Sequence, residues 1–255
     1  MRMKRLMAVA LAFGLASAVG LQAQSSDQAP TTNHDEKVHN NLEAAKEADR
    51  LDKAAAVIEE LSNTPDKGIP DEIVSKARCV AVVPGLKKGA IGIGGQYGQG
   101  VATCRTGNGW SAPAPIRMAG GSWGFQLGGS STDIVMVAMN QKGMQDLLNA
   151  KFKIGGDAGA AAGPIGRHAS AGTDWKLDSE LLTYSRSKGL FAGISLDGTE
   201  VSQNDDDTAA LYGHVVPFRS ILSGQTQPPQ QASRFEKAIR SYFDRAGAGN
   251  SGNGK

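Results

Sequence analysis

The sequence predicts an α+β fold in which a mostly antiparallel, glycine-rich, twisted sheet carries a long N-terminal helix and short flanking helices. Residues 35–62 repeat apolar side chains in steps of three and four, the spacing of one helical face. From Cys79 onward, short runs of β-branched and aromatic residues alternate with Gly, Pro, Asn and Asp, the pattern of strands and turns. The connections are short, which favours antiparallel pairing over parallel crossovers of about a dozen residues or more.

The N-terminal segment has the pattern of an export signal. Three basic residues lie within the first five positions, an apolar run extends from Leu6 to Ala18, and a small-residue cleavage site ends at Ala23. The apolar run is too short to span a bilayer as a helix. Residues 1–23 are therefore predicted to be a removed signal peptide, and the protein to be periplasmic or secreted. A retained amphipathic anchor is the alternative.

Removal of this segment changes the charge of the protein. The whole chain has a formal charge of +2, and residues 1–23 carry three positive and no negative charges, so the mature chain has a charge of −1. This balance gives no support to a general affinity for nucleic acid. A function that requires an anionic partner must rest on a local basic cluster.

Helical signals follow the leader. Residues 24–34 are polar, without apolar periodicity, and are predicted to be disordered. The N-terminal helix occupies the segment 35–68, and Pro65 and Gly68 end it. A short helix from about Pro70 to Ala77 is expected next, because proline is tolerated in a first helical turn.

Residues 69–224 are long enough to hold one sizeable core and are predicted to form a single domain. Two helices are expected inside it: Asn140–Asn149, with Asn140 as its cap, and Asn204–Tyr212, whose first turn holds three aspartates. The predicted strands are Cys79–Val83, Ala90–Tyr97, Val101–Arg105, Ser122–Leu127, Asp133–Met139, Leu181–Arg186 and Leu190–Leu196.

The C-terminal part is predicted to be a tethered helix. Residues 225–232 have the proline–glutamine composition of a linker, and residues 233–246 form a predicted helix. Ser233 and Glu236 match a capping box in front of an apolar stripe. Residues 247–255 are predicted to be disordered. The sequence leaves open whether this helix docks on its own domain or contacts another protein.

The chain has two cysteines, Cys79 and Cys104, each at the end of a predicted strand. In an oxidising compartment such a pair commonly forms a disulfide, which we predict here. Two buried reduced thiols are the alternative, since sequence does not establish the geometry. Neither cysteine has a second Cys or a His nearby, and no metal or cofactor is predicted.

The sequence shows no recognisable catalytic constellation, and we expect no enzyme. The run Gly89–Gly100 lacks the GxGxxG spacing, and no Gly-Lys-Ser/Thr follows a glycine loop. Ser185 lacks a GxSxG elbow, and the four histidines are scattered. The acidic triplet at 205–207 suits a helix N-terminus and lacks the alternating ligands of a calcium loop. The glycines are therefore interpreted as allowing close sheet packing.

Five glycine-containing segments nevertheless form a specific pattern. They are GAIGIGGQYGQG at Gly89–Gly100, GWSAP at Gly109–Pro113, GGSWGFQLGG at Gly120–Gly129, GGDAGAAAGPIGR at Gly155–Arg167 and TYSRSKGLFAGISLDG at Thr183–Gly198. In this order, across roughly Ile69–Gly224, they resemble the SYLF domain family. This lipid-binding domain is also known as an actin-regulator domain, after its eukaryotic endocytic members.

The resemblance implies a non-enzymatic domain that binds a lipid or membrane surface. Eukaryotic members bind phosphoinositides through an amphipathic N-terminal segment and basic residues, and some bind actin. Predicted export argues against cytosolic actin and phosphoinositides as native partners here. The N-terminal helix, with eight acidic and four basic residues over 35–62, suits packing on the domain better than insertion into an anionic bilayer. The alternative is an envelope structural or protein–protein interaction protein without direct lipid binding.

The candidate lipid-binding residues are basic side chains that flank glycine turns within or beside these segments. They are Lys87, Lys88, Arg167, Arg186 and Lys188. Such turns can bring side chains and exposed backbone amides to one anionic group. Ordinary charged turns are the alternative interpretation.

Overall fold

The computed structural model describes residues 32–64, 68–91, 93–123, 128–166, 180–187 and 189–244. The predicted signal peptide and the predicted C-terminal tail lie outside these residues. The helices of the described part are α1 (Thr32–Asn63), α2 (Asp71–Lys76), α3 (Gln141–Leu148), α4 (Asp205–Tyr212), α5 (Phe218–Leu222) and α6 (Ser233–Phe243). A 3₁₀ turn, Gln230–Ala232, leads directly into α6.

In the described residues, ten strands form one sheet. They are β1 (Cys79–Ile91), β2 (Ile93–Thr106), β3 (Gly109–Trp110), β4 (Ala114–Trp123), β5 (Gly128–Ala138), β6 (Lys151–Lys153), β7 (Ala160–Ala162), β8 (Leu181–Ser187), β9 (Leu190–Gly193) and β10 (Glu200–Gln203). The order across the sheet is β6-β10-β4-β2-β1-β5-β8-β7, with β3 beside β2 and β9 beside β8. Every strand pair is antiparallel except β7–β8, which is parallel. The predicted α+β class and mostly antiparallel sheet are confirmed.

The two faces of the sheet bury different cores, because successive side chains of a strand point to opposite faces. On β1, Val80 and Val82 lie in a core with α1, α2 and α6, on what we call the outer face. Ala81 and Val83 belong to a second core on the inner face. Phe152 of β6 and Leu181 of β8 share that inner core although their strands lie near opposite ends of the sheet, so the sheet curls around it.

The long helix packs on the sheet as the sequence predicted. Its apolar stripe is fully buried at Leu51, Ile58 and Leu61, where it meets the outer face and α6. Toward its N-terminus the same stripe is uncovered: Val38 and Leu42 are each more than half exposed. These two side chains therefore lie outside the outer core.

The C-terminal helix docks on its own domain, which decides one alternative that the sequence left open. Phe235, Ile239 and Phe243 are buried against the outer core. Phe243 also contacts the Trp110 ring, with centroids 5.4 Å apart. The Arg105 guanidinium donates to the Phe243 carbonyl at 2.8 Å, which fixes the end of α6.

Several predicted boundaries differ from the structure. The predicted strand Ala90–Tyr97 is wrong, because β1 ends at Ile91 and β2 begins at Ile93. Apolar residues on both sides of this turn concealed the break. The predicted capping box at Ser233 is also wrong: the residue before the helix is Ala232, and no side chain caps it. The 3₁₀ turn already supplies the start of that helix.

Two local predictions are confirmed. Asn140 caps α3, since its side chain accepts a hydrogen bond from the Gly143 amide at 2.9 Å. Cys79 and Cys104 form a disulfide with an S–S distance of 2.01 Å. The two residues are direct partners in the β1–β2 register, so strand pairing itself brings the sulfurs together.

Candidate functional site

A groove lies on the outer face, between α1 and the β1–β2 hairpin. We call it the basic groove; it encloses about 300 Å³. Its wall on α1 is formed by Lys46, Asp49, Arg50 and Lys53. Its floor is formed by Pro84, Gly85, Lys87, Tyr97, Gly98 and Gln99. The lining thus carries four basic side chains and one acidic side chain.

Helix geometry explains the basic wall. Lys46, Arg50 and Lys53 are separated by four and three residues, so they lie on one face of α1. The helix as a whole is acidic, but this face is not. The net negative charge of the helix therefore concealed the basic stripe. The spacing of the three basic residues in the sequence would have revealed it.

Strand register places the floor of the groove. A register shift between Val83 and Leu86 marks an irregularity around Pro84 and Gly85. After it, Lys87 pairs with Tyr97 across β1 and β2, so both side chains lie on the same face of the sheet. Tyr97 is 49% exposed, and Lys87 is exposed and makes no ion pair with any described residue.

Arg50 has a structural role in this groove. Its guanidinium donates to Asp207 Oδ2 at 2.6 Å and to Gln99 Oε1 at 3.0 Å, and it also pairs with buried Glu47. These contacts join α1, β2 and α4. With two carboxylates as partners, the Arg50 charge is already compensated, which leaves the lysines as the available cations.

The two groove lysines on α1, Lys46 and Lys53, make only exposed ion pairs. Lys46 Nζ lies 2.7 Å from Glu43 Oε1, and Lys53 Nζ lies 2.5 Å from Asp49 Oδ2. The hydrogen bond from Lys46 lowers the pKa of Glu43 below its ordinary value. The lysine side chains are 55% and 63% exposed, and exposed pairs of this kind contribute little stability. Both ammonium groups can therefore turn toward an anion at small cost.

The structure separates the five predicted lipid-binding residues. Lys87 lies in the basic groove, but Lys88 is the next residue along β1, and its side chain lies on the opposite face. Arg186 Nε lies 3.0 Å from Asp133 Oδ2, and Arg186 also pairs with Glu60, which ties β8 to β5 and α1. Arg167 and Lys188 lie outside the described residues.

A larger cleft of about 650 Å³ lies between the N-terminal half of α1 and α4. Its lining includes the acidic residues Glu43 and Asp206, together with His39. Within the described residues, no group of three or more His, Cys, Asp or Glu side chains could hold a metal ion. None of the described helices is long and apolar enough to span a membrane.

Comparison with known proteins identifies the family. Residues 119–242 match the family model described as "Ysc84: Las17-binding protein actin regulator". The chain belongs to the SYLF-domain family. The matched residues run from the middle of β4 into α6, so the docked C-terminal helix is part of the SYLF-domain match.

Relatives resemble this SYLF-domain protein over most of its length. The rat "SH3 domain-containing YSC84-like protein 1" is 30% identical over 200 residues, and its human counterpart is 29% identical over 200 residues. These matches cover 76% of this chain and 58% of each relative. "LAS seventeen-binding protein 3" of Saccharomyces cerevisiae is 32% identical over 180 residues, covering 69% of this chain and 39% of the yeast protein. The chain thus spans at most 58% of the length of these relatives.

Proposed function

We propose that this SYLF-domain protein is a non-enzymatic protein that binds an anionic lipid surface through the basic groove. The observation that supports the proposal is the convergence of Lys46, Lys53 and Lys87 around one open cavity. An ammonium group on a flexible stem is a compact charge with three hydrogen-bond donors, which suits a phosphate or carboxylate headgroup.

The position of the groove also favours a surface-bound ligand. Two of its lysines come from a helix and the third from a strand, so the charges surround an opening and do not form a single stripe. Tyr97 contributes a half-exposed ring with a polar tip, a side chain type that sits well where an apolar region meets water. Because the mature chain is nearly neutral, attraction to an anionic surface has to come from this local cluster.

Vesicle co-sedimentation tests the proposal. We expect Lys46→Gln/Lys87→Gln to weaken binding to phosphatidylglycerol-containing vesicles by about tenfold to thirtyfold, since each lysine near an anionic membrane contributes about 1 kcal/mol. Binding to phosphatidylcholine vesicles should stay near background. The effect should shrink as salt rises, because screening shortens the range of the attraction.

A charge-matched double variant supplies the control. Lys76→Gln/Lys151→Gln removes two exposed lysines that lie outside the groove and pair with Glu72 and Glu200. It should bind anionic vesicles like the parent. Equal loss in the two double variants would show diffuse attraction and overturn the groove. Binding to actin filaments without binding to vesicles would favour the protein-interaction alternative, and the family name makes actin the partner to include.

We also propose that the protein is exported. The Cys79–Cys104 disulfide supports this, because disulfides persist in oxidising compartments, and the sequence of residues 1–23 supports it independently. N-terminal sequencing of protein recovered from the envelope or medium should begin at Gln24. Recovery of an uncleaved chain in the cytosol would contradict export without bearing on the lipid-binding test.

A further inference from the structure

Next to the basic groove, the outer face of the sheet contains a row of four glycines. Gly129 of β5 pairs with Gly89 of β1, Gly89 pairs with Gly95 of β2, and Gly95 pairs with Gly121 of β4. Residues paired across neighbouring strands lie on the same face, so the four glycines form one continuous row. We call it the glycine row.

Among the described residues, nothing requires these four positions to be glycine. All four are exposed. A Cβ atom added at Gly89 or Gly121 would meet no atom within 4 Å, and at Gly95 or Gly129 it would meet only a carbonyl oxygen at 3.9 Å. None of the four is among the glycines with a positive φ. Glycine within a strand lowers stability and often marks a place where a ligand or another backbone approaches closely.

Removing the glycine row from water should cost little free energy. β1 and β2 are hydrogen-bonded on both sides along the row, so the amides of Gly89 and Gly95 face neighbouring strands. Contact with an apolar layer would therefore leave neither of these amides without a hydrogen-bond partner. Across four strands the row is about 14 Å wide, given a strand spacing of about 4.8 Å.

We propose that the glycine row rests against the interfacial region of a lipid bilayer while the adjacent basic groove holds an anionic headgroup. Lys87 precedes Gly89 by two residues and Tyr97 follows Gly95 by two, so the groove and the row are continuous on one face. This inference rests on the proposed function. The groove alone supplies charged contacts to a headgroup, and the glycine row adds a contact with the apolar part of the bilayer.

The shape of the row distinguishes a bilayer from a protein partner. Protein interfaces are stabilised by side chains that fill pockets in the partner, and aromatic and Arg anchors contribute most. The row provides neither a protruding side chain nor a pocket. A flat, fluid surface can contact it without such complementarity. The neighbouring Lys87, which has no ion-pair partner in the part of the chain that the structure describes, favours a surface that is anionic.

Gly95→Thr tests the glycine row, with Gly107→Thr as the matched control. Gly107 lies in the β2–β3 turn, is exposed, has no atom within 4 Å of an added Cβ and does not have a positive φ. Threonine favours strands, so Gly95→Thr should melt at the parental temperature or above it. The branched side chain should hold the row away from the bilayer and weaken binding to phosphatidylglycerol-containing vesicles by about fivefold or more, since interfacial affinity scales with buried apolar area. Gly107→Thr should bind like the parent.

The outcomes separate this inference from the proposed function. If the parent binds vesicles and loses binding with Lys46→Gln/Lys87→Gln, but Gly95→Thr binds normally, the glycine row is wrong and the groove stands. If the parent binds no vesicles, both fail. If Gly95→Thr changes the oligomeric state in sedimentation and leaves vesicle binding intact, the row joins two copies of the chain and the bilayer contact is overturned. Gly121→Ser repeats the test should Gly95→Thr lower the melting temperature.

Discussion

The two halves of the β1–β2 hairpin differ in what covers them. In the half next to the disulfide, both faces are buried: Val80 and Val82 face α1 and α6, and Ala81 and Val83 face the inner core. In the half toward the turn, the outer face carries the exposed glycine row. The same two strands therefore pass from the interior of the domain to a bare surface.

Glycine serves a different purpose in each half. A Cβ atom at Gly100, in the covered half, would lie 2.1 Å from the Val82 carbonyl oxygen and 2.7 Å from Val83 Cα. The close approach of two backbones requires glycine there. At Gly89 and Gly121, an added Cβ would meet nothing within 4 Å. A glycine-rich sequence can therefore encode tight packing at one place and an open contact surface at another.

The largest expected effect concerns the covalent link in the covered half. Replacing Cys79 and Cys104 by alanine should lower the free energy of unfolding by about 3 kcal/mol, because the 25-residue loop is no longer closed in the unfolded chain. Urea titration measures the change. Vesicle binding of the folded variant should be unaltered, since the disulfide lies at the end of the hairpin away from the glycine row. Loss of vesicle binding by a fully folded variant would contradict the expectation that the disulfide and the binding surface are independent.

A pair of identical substitutions compares the two halves directly. Gly100→Ala should lower the free energy of unfolding by about 2 kcal/mol, because its methyl group forces β1 and β2 apart. Gly121→Ala should leave stability unchanged or raise it slightly, since it adds strand preference without a clash. Thermal unfolding of the two variants and of the parent measures both changes in stability. Equal destabilisation would mean that the glycine row, too, is required by the fold.

The smallest expected effect concerns Asp146 of α3, which lies outside the β1–β2 hairpin. Its Oδ2 is buried without a described partner, and burial raises the pKa of the carboxyl above its ordinary value of 3.8. An acid whose pKa rises on folding destabilises the native state once it is ionised. Asp146→Asn should therefore raise stability at neutral pH by about 0.5 kcal/mol, with solvent screening keeping the gain small.

The pH dependence provides the control for Asp146. Below the unfolded pKa both states of the parent are protonated, so the difference between parent and Asp146→Asn should disappear there. It should grow as pH rises through the folded pKa and then remain constant. A difference that is independent of pH would indicate a packing effect and not ionisation.

Local signals predicted a large share of the fold. The spacing of three and four predicted α1, the asparagine predicted the cap of α3, and the only two cysteines predicted the disulfide. The short strands β3, β6, β7 and β10 were missed, and of β4 only the last two residues fell within a predicted strand, Ser122–Leu127. A strand of two to four residues has too few positions to show alternation, and pairing with a neighbouring strand decides its conformation.

The candidate site was predicted less well than the fold. Lys87, one of the five predicted lipid-binding residues, lines the groove, but the sequence grouped it with Lys88 and Arg186 because all three flank glycine turns. Lys87 and Lys88 are consecutive in β1, so their side chains lie on opposite faces of the sheet. Arg186 already forms ion pairs with Asp133 and Glu60. Lys46 and Lys53 were overlooked because the overall acidity of the helix outweighed the spacing of its basic stripe.

By itself, the sequence determined the secondary structure with strong periodicity, the fold class, the family and the disulfide, since each depends on local patterns or on the few cysteines available. Only the tertiary structure decided which lysines converge, that Arg186 is already paired, that α6 docks on its own domain, and which glycines face open space. The physical reason is that these features depend on strand register and on how helices pack over the sheet. Both join residues far apart in the chain, so no local pattern records them.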